Sequence, residues 1–326
     1  MRNCAICGTP NFKENNYCIH CGNELILEHF CPICGELNTD SATVCVKCNS
    51  QINPLTIENF ETLLSQLNID LLSNAQITDR EYNEILSNIF MKANYIDIWG
   101  ATVRDKILNF AGIFTECKTK SRGYERGFIF LGNNIYYDDR LDDSIQIATI
   151  IHELGHFFLF RIIESLLCHI FKVETSTTLQ SFVWYFLLLP EFRIMSEYCA
   201  HTVEGRFIPY GYQNYGSFNA LVEDTGVDEE SLNSMVKLGN SFANEIIIYM
   251  EKYIDDRLRD EIKFQYRRDS NPPTYESILR ETNICFELGF KNSILLKMLD
   301  DVLKEVSYNG DELDELENIK EGIELN

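Results

Sequence analysis

The run Ile147-Ala148-Thr149-Ile150-Ile151-His152-Glu153-Leu154-Gly155-His156-Phe157-Phe158-Leu159-Phe160 decides how the chain folds. Its apolar residues read as a helix from Ser144 to about Ile163, capped by Asp142 or Asp143. On a helix, His152 and His156 stand about one turn apart on one face, so each can offer an imidazole nitrogen to the same zinc ion. Glu153 then falls beside the ion rather than on it. That is the place for a general base taking a proton from the attacking water, whose pKa zinc lowers to roughly 7. Without a metal, these polar side chains would be buried unsatisfied among apolar neighbours. Gly155 leaves space close to the ligands.

Two histidines leave a catalytic zinc site one protein ligand short. Ile162 excludes a third histidine at the metzincin position. Glu164 is eight residues past His156, about 12 Å along the axis at 1.5 Å per residue, and cannot reach. Glu197, in a helix-like segment from Glu191 to Val203, is the leading third ligand, with Glu204 and His169 as competitors. His201 is one turn beyond Glu197. It is a candidate catalytic group that orients a ligand or holds an oxyanion, against the plain reading of a hydrogen-bonded core histidine.

Upstream, Ile113–Lys118, Gly127–Leu131 and Ile135–Tyr137 alternate with turn formers, Ser121-Arg122-Gly123 and Gly132-Asn133-Asn134, and predict a small antiparallel sheet. Further upstream, Thr56 can cap a helix through about Ser73. Thr78-Asp79-Arg80-Glu81 is a capping box opening a second helix to about Ala93. Everything after about Gly216 reads as helical, with interruptions at Asp269–Pro273 and Asn309-Gly310. Phe182 to Leu189 is an apolar run whose default account is core packing, with a wall of the substrate groove as the alternative.

The first 50 residues repeat one spacing: Cys4-x2-Cys7-x10-Cys18-x2-Cys21, then Cys31-x2-Cys34-x10-Cys45-x2-Cys48. Two CxxC turns complete one tetrahedral thiolate shell, so the repeat predicts two structural zinc sites. Gly8, Gly22 and Gly35 follow second cysteines, where a backbone curling round a metal often needs positive φ. The segment resembles a double zinc ribbon. With little core of its own, it depends on its metals for stability. It reads as either a folded cap or a docking module for a protein partner. Three basic residues (Arg2, Lys13, Lys47) against five acidic ones disfavour nucleic acid there.

The whole chain of 326 residues has a formal charge of -22, from 50 acidic and 28 basic side chains. That balance argues against a polyanion-binding surface. The N-terminus lacks the apolar segment of a signal peptide, and clustered CxxC pairs favour metal in a reducing compartment, so the expected location is cytoplasmic. Cys117, Cys168, Cys199 and Cys285 read as plain thiols. No membrane span is expected.

Residues Gly132 to Pro209 resemble the ImmA/IrrE group of cytoplasmic gluzincins. The resemblance rests on the strand Ile135-Tyr136-Tyr137, the His152–His156 motif, the Glu197-x2-Ala200 element and Phe207-Ile208-Pro209. It implies a zincin-like core with an edge strand along the substrate groove, Ala200 letting the second helix approach the first, and cleavage of a protein substrate. The 40-residue spacer from Phe157 to Ser196 departs from the pattern. The expected class is therefore α+β: a mainly helical metallopeptidase core with a small antiparallel sheet and an N-terminal double zinc ribbon. The expected layout is ribbons at 1–53, a helical linker at 54–100, the catalytic core at 101–215 and a helical region at 216–326. Three zinc ions and a protein or peptide substrate complete the reading. The alternatives are a non-catalytic zinc-ribbon adaptor and a protease resembling the SprT group, which acts on DNA-protein crosslinks.

Overall fold

A computed structural model of the chain describes residues 2–3, 10–11, 20, 28–30, 37–39, 45–47, 71–95, 97–120, 123, 125–171, 174–209, 216–269, 284–308 and 310–324. The helix expected from Thr56 lies largely outside these residues, as do Cys4, Cys7, Cys18, Cys21, Cys31, Cys34 and Cys48. In the N-terminal repeat, β1 (Arg2–Asn3) pairs antiparallel with β2 (Pro10–Asn11), and β3 (Glu28–Phe30) with β4 (Leu37–Thr39). Arg2 opposes Asn11 just as His29 opposes Asn38, so the backbone pairing recurs with the period of the cysteines. Cys45 is buried, and its Sγ accepts a hydrogen bond from the Lys47 N–H at 3.4 Å.

The rest is mostly helical, with one three-stranded sheet. The helices are α1 (Leu71–Asn74), α2 (Asp79–Phe90), α3 (Val103–Gly112), α4 (Asp143–Phe171), α5 (Thr177–Leu188) and α6 (Pro190–Phe207). They continue as α7 (Gly216–Thr225), α8 (Glu229–Met250), α9 (Asp256–Arg268), α10 (Leu288–Tyr308) and α11 (Gly310–Glu324). Local chemistry sets several starts. Thr78 and Glu81 form the reciprocal capping box of α2, and Thr102 with Asp105 does the same for α3. Pro190 occupies the first turn of α6, where its missing N–H costs nothing. The side-chain cap expected of Asp142 or Asp143 comes from a distance instead: Asp269, just after α9, accepts from the Ser144 N–H at 2.9 Å.

The sheet corrects the antiparallel expectation. Its order is β5 (Glu116–Thr119), β7 (Asn134–Tyr137), β6 (Gly127–Phe130), with β5 parallel to β7 and β6 antiparallel to it. Leu131 and Gly132 both have positive φ, and the Asn133 N–H bonds back to the Phe130 carbonyl at 3.0 Å. This tight turn is of the kind that closes two-residue hairpins. The connection from β5 to β6 is long enough to pass over β7. The hairpin therefore inserts β7 in the middle and leaves β6 on an edge.

One continuous apolar cluster runs from Leu72 to Ile319, with α4 through its centre. By length and composition α4 could cross a membrane, but 67% of its most apolar window is buried inside the protein. The spacer after the histidine motif includes the second half of α4, all of α5 and the first turns of α6. Phe182, Val183 and Phe186 of α5 join the core, and α11 covers part of its remaining surface. Helix α6 is held close to its neighbours at two glycines. A Cβ on Gly155 of α4 would lie 2.7 Å from Ala200 Cα, and one on Gly239 of α8 2.6 Å from the Met195 carbonyl oxygen.

Candidate metal centre and its cleft

The close contact at Gly155 and Ala200 brings one stripe of α6 against the histidine face of α4. Along that stripe Arg193, Ser196, Glu197, Ala200, His201 and Glu204 recur at helical spacing. His152 Nε2 and His156 Nε2 are 3.2 Å apart, and Glu197 Oε2 lies 3.5 Å from the first and 3.8 Å from the second. Donor atoms bound to one tetrahedral zinc at about 2.0–2.1 Å stand roughly 3.3 Å from one another. The three atoms are thus spaced as three corners of such a site would be.

Their partners orient them. His152 Nδ1 is 3.2 Å from Glu204 Oε2, and because a carboxylate only accepts, the ring carries its proton there and turns the Nε2 lone pair toward His156. His156 Nδ1 is 2.7 Å from Ser196 Oγ; a hydroxyl accepting from Nδ1–H leaves its Nε2 lone pair toward His152. Two lone pairs and a carboxylate oxygen converging on one half-buried point are a set that a cation would satisfy. A proton on His152 Nε2, donated to Glu197, meets the same demand in place of a cation. Burial pulls its pKa down, but the hydrogen bonds to Glu197 and Glu204 outweigh it and raise it well above the usual value. Burial lowers His156 to about 4, and the nearby charge of Arg193 acts in the same direction. Glu197 is held far below the ordinary carboxylate range, its burial overcome by the charges of His156 and His152. Glu204 falls to about 2, its burial overcome by bonds to His152 and His201.

Glu204, weighed above as a ligand, faces His152 Nδ1, away from the Nε2 atom that Glu197 approaches. His169 does not reach the site: its Nε2 lies 3.5 Å from Glu81 Oε1, toward the far end of α4. His201 is buried, packs edge-on against His152 with ring centroids 4.5 Å apart, and its Nδ1 is 3.3 Å from Glu204 Oε2. Ligand atoms of His152, Glu197 and His201 also fall within 4.8 Å of one another. That set shares His152 and Glu197 with the one above and takes in a histidine whose Nδ1 faces Glu204. Glu153 is buried, and burial raises its carboxyl to about 7 against the lowering effect of a hydrogen bond from the Ile129 backbone. Ile129 belongs to the edge strand β6.

These groups lie in a cleft of about 840 Å³. Gly127, Phe128 and Ile129 of β6 form one border, and Trp184, Leu187 and Leu188 of α5 an apolar wall. The run at Phe182–Leu189 therefore serves core and cleft at once, on different helix faces. A Cβ on Gly127 would meet Thr149 Cγ2 at 2.4 Å, so glycine lets β6 lie directly over α4. Sequence reasoning missed Ser196, Arg126 and Arg193. The only sequence signal for Ser196 and Arg193 was their helical spacing from Glu197. No protein-family model, curated protein or solved structure matches the chain.

Proposed function

We propose that the protein is a zinc-dependent metallopeptidase of the gluzincin kind that cleaves an intracellular protein or peptide. The observation that carries this reading is the convergence of His152 Nε2, His156 Nε2 and Glu197 Oε2 at 3.2, 3.5 and 3.8 Å, with Glu204 and Ser196 behind the two rings. Bound there, zinc would polarise a peptide carbonyl and acidify water. Glu153, beside the ligands on the cleft floor, is placed to take a proton from the attacking water and return one to the leaving amine. Strand β6 is an edge of the described sheet, so its outward backbone groups other than the one bonded to Glu153 could pair with an extended substrate along the cleft. His201 buttresses His152 and Glu204, which makes it a positioning residue in this scheme. The cysteine repeat would hold two further zinc ions and dock a protein partner.

The test pairs metal content with cleavage. Full-length protein should carry about three zinc ions, and His152→Ala about two, given one closed site per cysteine set and one at the histidines. Glu153→Gln should keep all three and lose cleavage. New protein N-termini in host cells, compared between wild type and Glu153→Gln, would name the substrate. Unchanged metal content in His152→Ala would refute the zinc centre.

A further inference from the structure

Two guanidinium groups open into the cleft, Arg126 from the residue before β6 and Arg193 from the first turn of α6. Both are exposed, and neither pairs with a carboxylate among the described residues. Elsewhere on this acidic protein Arg140, Arg206 and Arg259 each have a carboxylate partner. A cation in the first turn of a helix opposes the helix dipole, so Arg193 is not there for the good of α6. Three carboxylates of the same cleft are committed: Glu197 and Glu204 face histidines and Glu153 is buried. Glu125, beside Arg126, is exposed, with Lys120 Nζ 3.9 Å away. The exposed charges left for a ligand are thus two arginines against one glutamate. Beside them stands the apolar wall of Trp184, Leu187 and Leu188, and Leu188 is 46% exposed although large and apolar.

We infer, resting on the peptidase reading above, that the cleft selects an extended segment bearing a carboxylate next to a bulky apolar side chain. The carboxylate meets Arg126 and Arg193 and the apolar residue lies against Trp184, Leu187 and Leu188. Arginine suits this task because its planar fork grips a carboxylate through two hydrogen bonds. The carboxylate can belong to an Asp or Glu side chain or to a chain terminus.

The experiment uses full-length, zinc-loaded protein and a fluorogenic peptide library in which each position around a Leu or Phe carries Glu, Gln or Lys. A matching set ends at that position with a free acid or an amide. At one position Glu should exceed Gln in kcat/KM by about 10- to 100-fold, the value of a hydrogen bond to a charged group. The double variant R126E/R193E should reverse the preference toward Lys, and Arg193→Lys should retain most of it. A free acid outperforming both its amide and internal Glu would assign the carboxylate to a chain terminus. Equal rates for Glu and Gln, or an unchanged preference in R126E/R193E, would overturn the selectivity and leave the peptidase standing. Should no peptide be cleaved, the peptidase reading fails. Selectivity is then read from fluorescence anisotropy of the same peptides on Glu153→Gln protein. Tighter binding of acidic peptides, reversed in R126E/R193E, supports it, and equal binding refutes it.

Discussion

Replacing Gly155 by alanine tests whether helix packing sets the metal geometry. The new Cβ would stand 2.7 Å from Ala200 Cα and 3.3 Å from Ala200 Cβ, whereas ordinary contact begins at 3.4 Å. Since backbone is the obstacle, α4 and α6 must part by at least about 0.7 Å, because a close-packed interior offers no slack. Stability alone is a blunt readout. Overpacking costs about 1–3 kcal/mol, and alanine regains up to about 1 kcal/mol of helix propensity over glycine. The net loss is therefore about 0–3 kcal/mol. Metal binding is sharper. His152 and His156 ride on α4 and Glu197 on α6, and ligand distances tolerate only about ±0.2 Å. Zinc affinity at this site should fall by about 10- to 100-fold, comparable to losing a partner behind a ligand. Competition with a fluorescent chelator would measure it, the cysteine sites serving as internal controls. Wild-type affinity with an unchanged or raised melting temperature in Gly155→Ala would show that the helix contact does not set the ligand geometry.

Other expectations are simpler. Glu204→Gln should leave the fold intact and weaken zinc binding by about 10- to 100-fold, while His169→Ala, at its distance from the site, should change neither; chelator competition reads both. Burial pushes the Cys117 and Cys168 thiols up to about 12. At pH 8, well below those values, they hold almost no thiolate and should resist iodoacetamide in the native protein, while exposed Cys285 reacts. Mass mapping before and after denaturation would decide it. Lys291 is 1% exposed, bonds to Glu245 at 2.5 Å and to the Tyr82 hydroxyl at 3.1 Å, and ties α2, α8 and α10 together. Glu245→Gln strands that buried charge and should cost about 3 kcal/mol or more in urea unfolding. Lys291→Met removes the charge itself and should cost less; the reverse order would refute the argument.

Local patterns carried much of this reading. The capping box at Thr78, the helix through His152 and His156, and the hairpin turn at Gly132 depend on residues a few places apart, so they are legible in one dimension. The order of the sheet was not. Which strand sits in the middle depends on where the long β5–β6 connection passes, and alternation within each strand says nothing of that. Helix α3 was overlooked although Thr102 and Asp105 stand at capping-box spacing.

For the candidate metal centre the division is similar. Sequence by itself put two imidazoles and Glu153 on one helical turn, because 3.6 residues per turn is a property of the backbone. It also singled out Glu197, and left Glu204 and His169 in contention, since nothing local measures distance across a spacer. Tertiary packing gives each a different place. Helix α5 turns the chain back so that α6 lies on α4, the contact at Gly155 and Ala200 sets their separation, and that brings Glu197 to the histidines and Glu204 behind His152. It also left Arg126 and Arg193 in the cleft with no carboxylate partner among the described residues, because charge pairing depends on which surfaces meet.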